Sequence, residues 1–443
     1  MTPNKSLALP ARTVMAAALA LAAGGALAQS ATETALAVRL DQLSSELAAV
    51  KAQMAVLQLR GAQAPATSPA PAPVALPGAA PLPGGFDAAA PSAPAGPATV
   101  ITSYGEINYN RPVHAPQNGQ ADVRRLVLGF QHRFDERTKL VTELEVEHAV
   151  ASASDKGEVA VEQAYIERQL TPLLALRAGL FLMPVGLLNE NHEPTAFYGV
   201  ERNFVETAII PSTWREGGVQ GVASFDNGLT AQGGLSTSFD LNKWDAASTE
   251  GRESPLGAIH QELSQARSRD LAVFGALNWR GVPGLLLGGS VFSGQGTQGQ
   301  ASTTARITLW DAHARWTPGR WDLSTVYARG DISNTAALNA PLVGNPTLIP
   351  KTFDGFYLQG AYKLWSRGDY ALSPFVRWER FNTASAYADL GAGLTPAAAR
   401  AERVTTLGAN FVVSPGVVLK ADWQRFREAP DLDRVNLGLG WSF

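Results

Sequence analysis

The sequence has 443 residues, a net charge of −3, no cysteine, 42 glycines and 28 prolines, and only 17% of it is charged. The missing cysteine excludes disulfide frameworks, thiolate metal sites and thiol nucleophiles. The even charge balance excludes the basic excess of a nucleic-acid binder.

Residues 1–28 read as an address. Lys5 and Arg12 supply a positive start, Val14 to Ala28 is a short apolar core, and Ala26-Leu27-Ala28 is a signal-peptidase site. The apolar stretch is shorter than the roughly 20 residues of a spanning helix. The expected product is exported, and no later run reaches spanning-helix length. A membrane form of the mature chain would therefore be a closed barrel, which like a helix satisfies all its backbone groups internally.

Residues 29–60 are expected to form a periplasmic coiled coil. Leu36, Leu40, Leu43, Leu47, Val50, Met54 and Leu57 recur at alternating spacings of four and three, a heptad seam, with charged residues off it. Residues 61–98 form a linker in which ten of 38 residues are proline. At about 3.1 Å per residue such a segment reaches on the order of 100 Å.

From residue 99 to 443 the texture is of short alternating segments. Strands are expected near 100–110, 123–134, 138–149, 158–170, 173–182, 217–226, 229–240, 269–280, 284–296, 303–316, 320–331, 353–366, 369–381, 402–414, 416–428 and 433–443. Tight turns such as Asn227-Gly228 and Pro415-Gly416 alternate with longer polar loops. An even strand count with short turns at one end and long loops at the other is the outer-membrane barrel pattern, with the short turns periplasmic. The expected fold class is an all-β transmembrane barrel of 16 antiparallel strands with an N-terminal α-helical coiled coil.

The last strand sets Val435, Leu437, Leu439, Trp441 and Phe443 on one face and Arg434, Asn436, Gly438, Gly440 and Ser442 on the other. In strand 138–149, Leu140, Leu144 and Val146 alternate with Glu143, Glu145 and Glu147. Three carboxylates on one strand face suit a wet lumen, since a dry core would need a partner for each. Aromatic residues sit beside the tight turns, among them Trp279, Trp316, Trp321, Trp365, Tyr370 and Trp441, as in an interfacial belt. The terminal Phe443 resembles the closing signal of bacterial outer-membrane proteins.

Glu162-Gln163-Ala164-Tyr165-Ile166-Glu167, then Leu176-Arg177-Ala178-Gly179-Leu180-Phe181 and Pro184-Val185-Gly186, with His192-Glu193-Pro194 and Glu201-Arg202 beyond, resemble the phosphate-selective porin O/P family. The resemblance implies a trimer of sixteen-stranded barrels, each with its own pore passing small anions. The barrel region itself holds 31 basic and 35 acidic residues, a net of −4. By alternation its lumen takes both signs, with Arg125, Arg133 and Arg177 opposing Glu143, Glu145 and Glu147. The parity of strand 158–170 stays open.

The third external loop, 183–216, is expected to fold inward and narrow the channel. Phe197, Tyr198, Val200, Phe204, Val205, Ile209, Ile210 and Trp214 are too apolar for a free loop. The loop also carries Glu190, Glu193, Glu201, Glu206 and Glu216 against Arg202 and Arg215, which favours a weak cation preference in a narrow pore. The constriction is thus expected from Arg125, Arg133, Glu143, Glu145, Glu147, Arg177, Glu190, Glu193, Glu201, Arg202, Glu206 and Arg215.

The six histidines (114, 132, 148, 192, 260 and 313) are scattered and no nucleophile motif accompanies them, so no enzyme, metal site or cofactor is expected. His192 reads as loop surface. The functional expectation is an outer-membrane porin, a water-filled channel for passive diffusion of small hydrophilic solutes and ions. Its partners would be outer-membrane lipid and two further copies in a homotrimer, with the N-terminal region in the periplasm and in reach of peptidoglycan. The alternative is a structural tether that links a barrel anchor to the cell wall through the coiled coil.

Overall fold

Tyr104 pairs with Val127 on one side and with Ser442 on the other, so the first strand joins the last and the sheet closes. The computed structural model describes residues 98–443. The expected signal peptide, coiled coil and most of the linker lie outside the described residues.

The barrel consists of β1 (Ala98–Pro112), β2 (Gln120–Arg133), β3 (Thr138–Glu147), β4 (Glu158–Gln169), β5 (Leu174–Leu182), β6 (Arg215–Ser224), β7 (Leu229–Thr237), β8 (Leu271–Val282), β9 (Leu285–Gln295), β10 (Arg306–Trp316), β11 (Trp321–Ile332), β12 (Thr352–Tyr362, continued by Trp365–Arg367), β13 (Tyr370–Ala386), β14 (Glu402–Ser414), β15 (Val417–Phe426) and β16 (Arg434–Ser442). Each strand pairs antiparallel with the next. The two pieces of β12 both pair with β13, through Ala361↔Phe375 and Trp365↔Leu372, and so form one interrupted strand. All sixteen expected strands are present. β13 runs five residues past its expected end at 381, because Thr352 pairs with Ala386 beyond a register shift.

Period-two patterning sorts the side chains. On β16, Val435 and Leu437 are 44% and 51% exposed while Asn436 is buried. β2 exposes Leu126, Leu128 and Phe130 and buries Arg125 and Val127. Glycine serves the tight turns: Gly228 has φ +82°, and the Asn227 side chain accepts the Leu229 N–H at 3.1 Å. The last residue completes the seam, since Phe443 and Ser103 exchange two backbone hydrogen bonds of 2.9 and 3.0 Å.

β4 carries the one irregularity that decides a side-chain direction. Glu143 pairs with Gln163 but Leu144 pairs with Val161, so Glu162 is an extra residue in a β-bulge. The bulge turns both Glu162 and Gln163 inward, and this is why the strand shows no single parity.

The largest apolar cluster lies inside the barrel. Segments 183–214 and 238–270 fold in from the long-loop end and pack on β8–β12. Trp214 stacks on Phe239 at 5.0 Å and meets Phe292 edge-on at 4.8 Å, with Leu256, Ile259, Ile307 and Phe353 fully buried around them. Truncating Trp214 to Ala is expected to cost about 3–5 kcal/mol, the usual penalty for a buried large aromatic. The loss should appear as a lower temperature at which the detergent-solubilised barrel gives up its compact electrophoretic form.

Candidate functional site: two loops inside a charged barrel

The third loop, 183–214, is cinched at its neck. Met183 N–H donates to Trp214 O at 2.9 Å. The buried Asn189 side chain donates to Met183 O and Trp214 O and accepts Trp214 N–H, each at 2.7 Å. Glu206 turns back into the same loop. It accepts the Leu187 and Leu188 N–H groups at 2.6 and 2.7 Å, the Asn203 amide at 2.8 Å and the Tyr357 hydroxyl at 3.2 Å. Burial raises its pKa above the ordinary carboxylate range against these hydrogen bonds. Gly186 sits at φ +69°, where a Cβ would strike that carboxylate.

Charges on the far wall hold the loop by its backbone. Asp422 accepts Val200 N–H and Glu379 accepts Phe204 N–H, each at 2.6 Å. Lys420 and Asn410 donate to Phe197 O at 3.1 Å. Arg377, paired to Glu379 at 3.0 Å, donates to the carbonyls of Tyr198 and Glu201. The wall's carboxylates thus take loop donors and its cations take loop acceptors, so wall charges are satisfied without water.

The near wall is acidic and internally paired. Arg125 bridges Glu106 and Glu145 at 3.0 Å each and reaches Glu147 at 3.9 Å. Glu143 accepts from Gln163 at 2.5 Å. Arg177 pairs with Glu167 at 2.7 Å and Glu190 at 3.8 Å, and Gln232 donates to Glu190 at 3.0 Å. Between these groups a cavity of about 30 Å³ is lined by Lys139, Glu143, Gln163, Tyr165, Arg177 and Glu190. It is polar and roomy enough for water.

The structure brings Glu143, Glu145, Glu147, Arg125, Arg177 and Glu190 to this wall. Arg133 is exposed at its turn end, Glu193 is half-buried, and Glu201 is held by the Asn110 amide at 2.7 Å. Three expected constriction residues are corrected. Glu206 is spent inside the loop. Arg202 donates to Thr213 and to His192 O within the same loop, and Arg215 pairs with Glu262 of segment 238–270 at 3.1 Å. A long loop packed in a barrel must satisfy its own polar groups, and these side chains do so.

His192 is also corrected, from loop surface to a buried anchor 4% exposed. Its Nδ1 faces the Asn189 carbonyl at 2.9 Å, which can only accept, so Nδ1 carries a proton. Its Nε2 lies 2.5 Å from the Tyr104 hydroxyl, which donates to Glu162 at 2.8 Å. Burial opposes the imidazolium, but Glu162 outweighs it and holds the His192 pKa above its ordinary value. The bulge that aims Glu162 inward gives no signal in residue spacing, so sequence reasoning missed this link. The inward fold of 238–270 was legible in principle from Phe239, Leu241, Trp244, Leu256 and Ile259, by the criterion applied to the third loop.

Among the described residues no cluster of three or more His, Asp or Glu is placed to hold a metal ion. A pKa raised in the folded state stabilises fully below the unfolded value and is lost as pH rises through the folded one. The barrel is therefore expected to lose thermal stability as pH climbs beyond about 6.5, the ordinary imidazole value. His192→Gln should flatten that decline in thermal unfolding curves recorded across the range.

An uncharacterized protein of Aquifex aeolicus (strain VF5) is 32% identical over 356 residues, covering 77% of this chain and 79% of that protein. Among solved structures, Salmonella typhi OmpF in complex with daunomycin matches with a TM-score of 0.55 at 12% identity, over 78% of this chain and 97% of that one. The anion-selective porin from Comamonas acidovorans covers 78% of this chain and 100% of that one, with a TM-score of 0.48 and 10% identity. No known family model matches the chain.

Proposed function

The chain belongs to the family of the Aquifex aeolicus protein, and we propose that its barrel is an outer-membrane porin for passive diffusion of small hydrophilic solutes and ions. The observation that carries the reading is a closed barrel with apolar residues outside, charged residues inside, and a third loop fastened across its lumen. The likeness to OmpF supports the fold on which the reading stands. No covalent step is needed: the loop narrows the passage, and the charges left facing it set a field that solutes cross. The exported N-terminal address, a periplasmic coiled coil and the linker complete the proposed arrangement.

The passage runs beside the near wall, where Glu143 and Glu190 face Lys139 and Arg177. This mixture fits weak selectivity, tilted towards cations by the acidic strand β3. Purified protein in a planar bilayer should give discrete conductance steps with a small cation-favouring reversal potential in a salt gradient. Glu143→Gln should move that potential towards anions and Lys139→Gln the opposite way. A silent bilayer would overturn the porin reading. An anion preference in the unmodified protein would instead favour the phosphate-selective porin O/P resemblance.

The outer surface supports a homotrimer. On β10–β15 and β1, the outward positions near the long loops hold Trp310, Tyr327, Phe356, Trp378, Trp423 and Tyr109. On β3–β9 the corresponding positions among the described residues are aliphatic or small. There Gly221, Gly233 and Gly275 stand in one row across three strands. Headgroup-level aromatic rings suit lipid, whereas a flat row of glycines suits a second barrel. A Cβ on Gly275 meets nothing nearer than 3.7 Å, so a large side chain fits the single barrel. Gly275→Phe is expected to leave a folded, heat-modifiable monomer and to abolish the trimer band on native electrophoresis.

A further inference from the structure

At the end that carries the long loops, the barrel's outer face repeats a pattern not explained by conduction. Tyr109 and Arg111 on β1, Tyr327 and Arg329 on β11, Trp378 and Arg380 on β13, and Trp423 and Arg425 on β15 each set an aromatic ring two residues before an arginine. A spacing of two keeps both on one face, with the arginine nearer the loop. On β10, which runs in the opposite chain direction, Arg306 and Trp310 share that face four residues apart, again with the arginine nearer the loop.

The register gathers several of these guanidinium groups. Arg380 stands directly opposite Arg403. Arg427 N–H bonds to Arg403 O at 3.1 Å, and Arg425 lies opposite Thr405. Arg329 and Arg380 have acidic partners, Asp331 at 3.0 Å and Asp354 at 2.8 Å. Arg403, Arg425 and Arg427 are exposed and have no ion pair among the described residues. Of the two carboxylates beside them in sequence, Glu402 is taken by the backbone N–H groups of Arg427, Glu428 and Ala429 at 2.9–3.0 Å, and Glu428 pairs with Arg400 at 3.6 Å. Like charges facing each other across strands are unfavourable, and Asp354 answers only the Arg380 side of this group.

We propose that Arg380, Arg403, Arg425 and Arg427 hold the phosphate of a phosphorylated lipid headgroup in the leaflet on the long-loop side. The inference rests on the membrane-barrel reading. What marks the anion as a lipid's is the surface directly below. Val376, Leu407, Leu419 and Trp423 are outward and 36–47% exposed, an apolar bed for acyl chains running down from the guanidinium cluster. Trp378 and Trp423 lie at the depth where amphipathic rings meet headgroups. Arginine is suited to the task, since its planar fork meets a phosphate with two parallel hydrogen bonds and stays charged.

Native mass spectrometry of the folded full chain in an uncharged detergent tests this. The probes are an acylated diglucosamine bisphosphate lipid and its dephosphorylated form. The bisphosphate should be retained and the dephosphorylated form largely lost. Replacing Arg403, Arg425 and Arg427 together with Gln should weaken retention by roughly fivefold per arginine, the worth of one cation at an anionic lipid surface. The control carries Arg137→Gln, Arg320→Gln and Arg367→Gln at the short-turn end and should retain the lipid. Equal retention of both lipids, or by the triple variant, would overturn the proposal. So would displacement by an equal concentration of inorganic phosphate, which marks a site blind to acyl chains, or a change in oligomeric state with lipid retention unchanged, which assigns the arginines to a neighbouring barrel. Compact electrophoretic mobility and conductance steps of the same variants read the barrel separately. A barrel that binds the lipid without conducting refutes the porin reading alone.

Discussion

A β-sheet with an apolar outer face leaves its edge groups nowhere to bond, and that constraint shapes everything else in this protein. The answer is closure: β1 bonds to β16 along nine residue pairs, and the terminal Phe443 finishes the seam on Ser103. Once the ladder closes, period two commits each strand to one face in and one face out. The outer face is leucine, valine and aromatic on every side, whereas the inner face is most apolar on the β8–β12 side, where the inward loops cover it. Charges are left facing the lumen, and the arrangement of the interior becomes a question of how those charges are satisfied.

The two inward loops answer it in two ways. On the β8–β12 side the wall offers Ile307, Leu309, Val326, Ile332 and Phe353, and the loops cover them with Trp214, Phe239 and Leu256. On the β13–β16 side the wall offers Arg377, Glu379, Lys420 and Asp422, and the third loop meets them with backbone N–H and C=O groups. The β2–β5 side is left with the polar cavity, and its charges are balanced mostly among themselves. The loop is therefore held by apolar packing on one flank and by charge-assisted hydrogen bonds on another. Its acidic side chains, conspicuous in composition, serve largely as struts. Under the proposed porin function, the selectivity question moves from the loop's net charge to the groups that line the near-wall cavity, Glu143, Lys139, Arg177 and Glu190.

The outer face is equally uneven. One arc carries paired rings and arginines near the long loops, and the opposite arc carries aliphatic residues and glycines. Such a difference fits the proposed arrangement, in which one arc meets lipid and the other a neighbouring barrel.

Much was legible from residue spacing alone. Sixteen strands, their turns and their inward and outward faces follow from an alternation local to each segment. The inward fold of the third loop follows from its apolar content, since eight such residues cannot stay in water in a free loop. The partners of individual side chains were not legible. Glu162 could not be placed because a bulge is a fact of pairing between two strands, invisible in either one. His192 looked like loop surface because Tyr104, 88 residues away, meets it only when the barrel closes. Arg202, Glu206 and Arg215 looked like pore residues because composition counts charges without saying which oxygen each one meets. The sequence by itself determined the barrel, its strand count and its two faces, because alternation is a short-range property. Tertiary structure alone decided which charges fasten the loops and which line the cavity, because that depends on groups brought together across the lumen.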